Sequence, residues 1–384
     1  MITILIFVPS YFPGYLYGGV ARSVVNTTKW LGEEFEFLIV TLDRDIGTNE
    51  PYSQIRTGEW IKVGKAHVKY LEPDQLTIKY IYNLVRSTQY NLIHLNSFFD
   101  SIFTIKILLL KIIGLIQPEK ILLSPRGEFG YGSFKLKYIK KRIYIEISNM
   151  LGFYKNIQWH ASSDLEAHDI SSVLRIPPNM IKIALDLPDN GFKLEQTVQR
   201  RDEKLKVIYL ARFTREKNLD GALRILQSVS TPMDFDIFGI QEDHNYWQEC
   251  LALAKELPHY IHVEYHGPLQ PERVHSVLSN YDLLFLPSHG ENYGHVIAEA
   301  LSVGTRVLIS TLTPWSKLEH SGLGWSIQLD NIDGFAEILN TLGSTPLAER
   351  LGTRPFVQRA ALQRFLDSKS LEHNRKLFSK IDSQ

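Results

Sequence analysis

Ser288-His-Gly-Glu-Asn-Tyr-Gly-His-Val-Ile-Ala-Glu-Ala-Leu-Ser-Val-Gly304 is the stretch on which the reading of this chain turns. The run before it, Asp282-Leu-Leu-Phe-Leu-Pro287, has the continuous apolar character of a buried strand. A polar turn follows, then a short helix pattern opening near Gly294, a glycine stop at Gly304 and a second strand at Arg306–Ser310. This is a βαβ unit with acidic groups at the carboxyl end of its first strand, where open α/β sheets bind ligands.

The phase of that helix separates its residues. His295 and Glu299 lie four apart and share a face, while Val296, Ile297, Ala300 and Leu301 supply apolar positions to pack on a sheet. Glu291 precedes the helix. The N–H groups of Asn292, Tyr293 and Gly294 at a helix start favour a phosphate. A carboxylate beside them repels phosphate and accepts hydrogen bonds from hydroxyls, as on a sugar or ribose. Phosphate donors next to hydroxyl acceptors point to a sugar nucleotide. A plainer reading makes Glu291 a helix cap and Glu299 a solvated helix residue, and this stretch alone leaves both open.

Working outward, strand-like runs at Ile2–Val8, Phe37–Thr41, Leu92–Leu95, Lys120–Ser124 and Ile157–His160 alternate with helix-like stretches. Ser163-Asp-Leu-Glu166 reads as a capping box opening one of them. The pattern breaks between Asp186 and Lys204, which reads as a surface linker. A second series follows at Leu205–Leu210, Phe235–Phe238, His262–Tyr265, Leu283–Pro287, Val307–Ser310 and Trp325–Ile327. The expectation is an α/β chain with two doubly wound, Rossmann-like domains in tandem facing a cleft. A length of 384 residues suits two cores, and a hydrophobic fraction of 44% is globular.

Lys+Arg 42 balances Asp+Glu 42, so no global field attracts nucleic acid. Cys250 is the single cysteine; it excludes an internal disulfide, fits a reducing compartment and reads as helix packing. Met1–Val8 has no positively charged leader and reads as a first strand, so a cytoplasmic chain is expected. Ser101–Gln117 is the most apolar stretch, but Lys106 and Lys111 interrupt it and it is too short to span a bilayer. It reads as a buried or membrane-facing helix.

Several other groups fall at strand ends. Arg212 and Lys217, after Leu205–Leu210, are placed to clamp a diphosphate whose charge grows as it departs; a solvated loop is the alternative. Tyr17-Gly18-Gly19 follows the first strand, where paired glycines let backbone approach a ligand closely. Arg126 and Glu128 in Ser124-Pro-Arg-Gly-Glu-Phe129 would either meet substrate or brace a loop as an ion pair. His94 reads as a satisfied core histidine. Asp43-Arg-Asp45 mimics a metal-holding aspartate pair without further oxygen ligands nearby, and the histidines from His244 to His295 lack zinc-site spacing, so no metal is expected. Lys135-Leu-Lys-Tyr-Ile-Lys-Lys-Arg142 is a basic run with apolar residues interleaved: a solvated face, or a contact with the anionic inner face of a membrane.

Assembled, these residues make the chain resemble a family 4 glycosyltransferase of the GT-B fold, of the bacterial cell-surface polysaccharide type. The resemblance rests on Glu291 and Glu299 within Gly-Glu-Asn-Tyr-Gly-His-Val-Ile-Ala-Glu-Ala-Leu, supported by Arg212, Lys217, Gly18-Gly19, Ser-Pro-Arg-Gly-Glu-Phe and Thr313-Pro-Trp315. It implies an acceptor-side domain over 1–190, a nucleotide-sugar domain over 191–367, and a terminal helix within 368–384 packing back on the first. It implies a metal-independent, retaining transfer of a sugar from a nucleoside diphosphate to a glycan or lipid-linked glycan. UDP is the default nucleotide, with GDP and ADP open.

By the same resemblance Glu291 holds donor-sugar hydroxyls and Glu299 the ribose, while Arg212 and Lys217 hold the diphosphate. Gly18 and Gly19 approach it, and the amides of Asn292, Tyr293 and Gly294 complete the site. His266, Gly267 and Leu269 would line a base pocket. Many members carry a histidine where this chain has Arg126, which cannot act as a base and would instead pair with phosphate or an acidic acceptor. A sugar-nucleotide epimerase and a non-catalytic sugar-binding protein are the alternatives.

Overall fold

The computed structural model describes residues 1–14, 18–45, 47–53, 55–135, 137–191, 200–315 and 318–379. Tyr17 of the glycine motif, Leu136 and the Lys135 side chain of the basic run, 192–199 of the linker reading and 380–384 lie outside the described residues. The chain forms two compact units, Met1–Asn190 with Ser368–Gln384, and Gly191–Asp367.

Unit 1 runs β1 (Ile2–Phe7), α1 (Gly19–Leu31), β2 (Phe35–Leu42), β3 (Trp60–Val63), β4 (Ala66–Leu71), α2 (Ile78–Ser87), β5 (Leu92–Asn96), α3 (Thr104–Ile112), β6 (Ile121–Ser124), α4 (Tyr131–Lys135), α5 (Tyr138–Met150), β7 (Gln158–Ala161), α6 (Asp164–Leu174) and β8 (Ile181–Ile183). Its sheet has the order β3-β4-β2-β1-β5-β6-β7-β8, parallel except for β3 against β4. Unit 2 runs β9 (Leu205–Leu210), α7 (Leu219–Leu226), β10 (Met233–Phe238), α8 (His244–Lys255), β11 (Ile261–Gly267), α9 (Pro271–Leu278), β12 (Leu283–Leu286), α10 (His295–Ser302), β13 (Arg306–Ser310), β14 (Gly324–Ile327), α11 (Ile332–Ser344), α12 (Leu347–Gly352) and α13 (Arg354–Phe365). Its parallel sheet has the order β11-β10-β9-β12-β13-β14. The last helix, α14 (Ser368–Phe378), belongs to unit 1.

Continuous apolar strands arise because both faces of each sheet are covered. In β1, Leu5 and Phe7 enter one core cluster while Ile4 and Ile6 enter another. Phe378 of α14 joins the second, with its ring 5.8 Å from those of Phe35, Phe37 and His94. Asn374 donates to Leu185 O at 2.7 Å. Cys250 is buried in α8, and burial pushes its thiol up to about 12, so it packs rather than reacts.

Three sequence readings change. The β3–β4 hairpin is absent from the strand pattern: it is an edge pair of short runs interrupted by Lys62, His67 and Lys69. The stretch from Asp186 is not all surface linker. Asp186 and Leu187 are buried, Asn26 donates to Leu187 O at 2.9 Å, and Trp30 Nε1 donates to Pro188 O at 2.8 Å. Proline and polar residues made a packed segment look like a tether. Finally, Ser163 caps α6 by accepting from Glu166 N at 3.1 Å, but the Glu166 carboxylate turns to Ser162 N and Gly127 N, both at 2.7 Å. It ties β7 to the loop after β6 instead of closing a reciprocal box.

Among the described residues, no helix is long and apolar enough to cross a membrane. The apolar 101–117 stretch forms α3, which buries Ile107, Leu108 and Leu110 and leaves Ile113 and Leu115 exposed beyond its end.

Candidate functional site

The strand order of unit 2 reverses at β9. From β9 the chain moves outward through β10 to β11, then returns to place β12 on the other side. β9 and β12 are in register only at Leu283↔Val207 and Leu284↔Ile208. Their carboxyl ends continue beyond the paired residues, opening the crevice that a topological switch point creates. Arg212 and Lys217 follow β9, and Ser288–Gly294 follows β12.

Lys217 and Glu291 meet there. Lys217 Nζ lies 2.7 Å from Glu291 Oε1, with the side chains 16% and 8% exposed. Both loops are anchored. Tyr209 OH donates to Lys217 O at 2.9 Å, Asn218 Nδ2 donates to Pro287 O at 2.8 Å, and His289 N donates to Glu216 O at 2.7 Å. Asn218 sits in the left-handed region at φ 57, which an asparagine tolerates, and starts α7. Arg212 pairs with Glu242 at 2.7 Å, with both groups more than one-third exposed. The sequence singles out Arg212 and Lys217 but not Tyr209, Asn218 and Glu242, whose contacts with these loops depend on packing.

Gly294 begins α10 at φ +79, a conformation a β-carbon would strain, and Ile297 N donates to its carbonyl at 2.9 Å. The side-chain oxygen of Asn292 is buried without a hydrogen-bond partner among the described residues. The Tyr293 carbonyl accepts from Trp315 Nε1 at 2.5 Å and the rings are 5.6 Å apart, so Trp315 of the Thr-Pro-Trp motif holds the turn in place. Glu299 is buried, 9% exposed, which removes the solvated-helix reading.

His266 stands on β11 with its ring stacked on Phe238, centroids 4.6 Å apart, and Nε2 3.1 Å from Asp236 Oδ1. Gly267 closes β11 and accepts from Gly239 N at 3.0 Å; Leu269 packs against the unit 2 core. Asp236 opposes Glu264 across β10 and β11, so Asp236, Glu264 and His266 bring ligand atoms within 4.8 Å of one another. This grouping comes from strand pairing, which linear zinc spacing cannot reveal. In unit 1 the Asp43-Arg-Asp45 motif resolves differently. Arg44 grips Asp43 at 2.7 and 2.9 Å, and Ser10 donates to Asp45 at 3.2 Å.

Arg126 has partners other than those expected. Its side chain is 4% exposed and lies 2.7 Å from Asp186, while Nε and Nη2 donate to Asn96 Oδ1 at 3.0 and 2.8 Å. Asp186 in turn accepts from Ser23 Oγ at 2.6 Å, and that hydroxyl reaches Gly19 O at 2.9 Å. Arg126 thus stands behind the Gly18–Gly19 start of α1, where Gly18 has φ 73. Glu128 does not pair with it. Its carboxylate accepts from Ser97 Oγ and Phe98 N at 2.6 and 2.5 Å, and burial raises it above the ordinary carboxylate range.

Beside Arg126, Ser124 Oγ bridges His94 Nε2 at 2.8 Å and His160 Nδ1 at 2.7 Å, and His160 Nε2 lies 2.9 Å from Ala184 O. The carbonyl only accepts, so His160 Nε2 donates. In the neutral ring Nδ1 then accepts from Ser124, and Ser124 accepts from His94 Nε2. His94 is therefore satisfied on one side; its Nδ1 has no partner among the described residues. Burial, then Arg126, lowers His160 to about 4. The unfolded chain takes up a proton on this residue as pH falls from about 6.5 to about 4, and the folded chain does not, so acid favours unfolding in that window. The stability cost of His160→Gln, measured by denaturant unfolding, should shrink by up to about 1.4 kcal/mol per pH unit across it. A cost that does not change with pH would count against the neutral ring.

Known proteins share this architecture. WaaG, a glycosyltransferase involved in lipopolysaccharide biosynthesis, superposes with a TM-score of 0.68 at 11% identity, covering 98% of this chain and 100% of WaaG. Anabaena Alr3699/HepE in complex with UDP-glucose superposes at 0.69 and 13% identity, covering 99% and 100%. The fold is GT-B. Within it, residues 192–354 match the family model of glycosyl transferases group 1, a segment that contains Arg212, Lys217, Glu291 and Glu299. A Klebsiella pneumoniae protein described as an uncharacterized 41.2 kDa protein in the cps region is 22% identical over 270 residues, 67% of this chain and 72% of that protein.

Proposed function

We propose that this GT-B protein is a retaining, metal-independent glycosyltransferase moving a sugar from a nucleoside diphosphate to a glycan or lipid-linked glycan in cell-surface polysaccharide synthesis. The observation that carries the reading is the Lys217–Glu291 pair at the β9/β12 switch point, next to the α10 start at Gly294 and inside the group 1 match. An ammonium beside a helix start suits a diphosphate, and a carboxylate suits sugar hydroxyls. The HepE complex with UDP-glucose supports a UDP-sugar donor, and the cps-region relative supports a setting in polysaccharide synthesis.

In this reading the bond from the anomeric carbon to the phosphate oxygen breaks as the acceptor oxygen bonds from the same face. The acceptor proton passes to the departing phosphate oxygen. Lys217 and Arg212 offset the charge that develops there. Glu291 orients the sugar, Glu299 the ribose, and the amides of Asn292, Tyr293 and Gly294 the phosphates. His266, Gly267 and Leu269 are assigned to the base. In unit 1 the Gly18–Gly19 turn is a further donor-binding element, with Arg126 positioning it from behind rather than touching substrate.

A thermal-shift panel of UDP, GDP and ADP with their sugars tests the donor, since a selective ligand stabilises the folded form by mass action. A UDP-sugar at a hundred times its Kd is expected to add about 2.7 kcal/mol. The selected donor is then incubated with and without acceptor. An isomeric sugar nucleotide formed without acceptor would show an epimerase instead, and an inverted product anomer by NMR would exclude retention.

A further inference from the structure

We infer that α5 docks unit 1 onto an anionic lipid bilayer through an exposed stripe of isoleucines edged by cations. The helix has two opposed faces. Inward, Ile145 and Ser148 are buried, Tyr144 bonds Tyr154 at 3.0 Å, and the Tyr144 ring lies 5.7 Å from that of Phe99. Outward, Ile139, Ile143, Ile147 and Met150 are 72%, 55%, 48% and 80% exposed. At 3.6 residues per turn these four fall in an arc of roughly 80°, opposite the buried face. A surface helix ordinarily carries polar residues there, so this face is built to be covered.

Its charge selects the cover. Lys140 borders the arc on one side; on the other, Glu146 adjoins it with Arg142 just beyond, and Lys137 immediately precedes the helix. Glu146 is the one acid of α5, and it lies 3.7 Å from Arg142. Aliphatic side chains flanked by Lys137, Lys140 and Arg142, which together outnumber the single acid, suit a headgroup layer: the apolar stripe enters the acyl boundary while lysine stems extend back to phosphates. Protein interfaces are enriched in aromatic residues, Met and Arg and depleted of lysine; the stripe shares Met150 with them, but it has no aromatic residue and Lys137 and Lys140 flank it. Lys111 donates to the Lys155 carbonyl, drawing the end of α3, with Ile113 60% and Leu115 49% exposed, up to the loop after α5. With 13 residues, α5 lies on a bilayer and does not cross it.

The inference stands apart from glycosyl transfer, because vesicle binding is measured without donor or acceptor. Full-length protein is floated with phosphatidylglycerol/phosphatidylcholine vesicles and with phosphatidylcholine alone. The parent should bind the anionic vesicles and lose them in high salt. Ile139→Asp/Ile143→Asp and Lys137→Glu/Lys140→Glu should each weaken binding by at least about tenfold, with circular dichroism and thermal midpoints unchanged. Ile143→Trp keeps the stripe apolar; its emission should shift to the blue and be quenched by brominated acyl chains. A parent that stays off anionic vesicles, or an aspartate variant that floats like the parent, overturns the inference. So does a parent dimer that ignores vesicles and that Ile139→Asp/Ile143→Asp splits, since a second copy would then cover the stripe.

Discussion

Lys217→Ala should lower turnover by about a hundredfold or more in protein that still folds. The size follows from the loss of a preorganised charge at a leaving group, which costs roughly 2.7–4 kcal/mol of transition-state stabilisation in comparable sites. The ammonium is not a free surface cation: it is 16% exposed and held 2.7 Å from Glu291. Its backbone is fixed independently, the amide by Thr214 O at 3.0 Å and the carbonyl by Tyr209 OH at 2.9 Å. Removing the side chain therefore deletes the charge without releasing the loop backbone; it also leaves Glu291, 8% exposed, without its counter-charge, so a fall in stability should accompany the loss of turnover. Steady-state kinetics should show the loss mainly in kcat, because the charge it meets is largest as the diphosphate departs. Arg212→Ala is expected to act in the same direction, and since its Glu242 pairing is solvent-exposed the unfolding midpoint should hardly move. Unchanged turnover in Lys217→Ala would remove this residue from the mechanism.

The largest stability effect is expected at the other end of β12. Asp282 Oδ2 accepts from Arg200 Nη2 and Arg350 Nη1, both at 2.6 Å, and from Lys206 N at 2.9 Å. The Arg350 side chain is 1% exposed and also donates to the Glu203 carbonyl. Asp282→Ala leaves a buried guanidinium uncompensated, and breaking such a pair from one side costs about 3–5 kcal/mol. Guanidinium unfolding should report that loss, and Asp282→Asn should match it, because the neutral amide supplies no counter-charge. Asp282→Ala/Arg350→Met should recover much of it by removing both charges together. The cluster precedes β12 and the candidate site follows it, so residual activity in folded Asp282→Ala should stay near that of the parent. A midpoint shift equivalent to under about 0.5 kcal/mol would mean the cluster contributes no more than an ordinary surface position.

Much of the architecture was legible because it is local. Apolar runs of strand length alternating with helical periodicity imply parallel sheets covered on both faces, and the glycine at 294 marks where a helix starts. The edge hairpin β3–β4 escaped because its short runs carry charge at alternate positions. The 186–190 stretch escaped because its prolines look the same whether they face solvent or pack on α1.

Sequence by itself determined the two-sheet alternation, the position of the turn ahead of α10, and which acidic and basic residues fall at strand ends. It did not decide their partners. Lys217 meets Glu291 across 74 residues, and Arg126 chooses Asp186 across 60 rather than Glu128, two positions away. One carboxylate resembles another along a chain. Strand order and register decide which of them reaches a given cation, and burial decides whether that cation meets solvent or the fold.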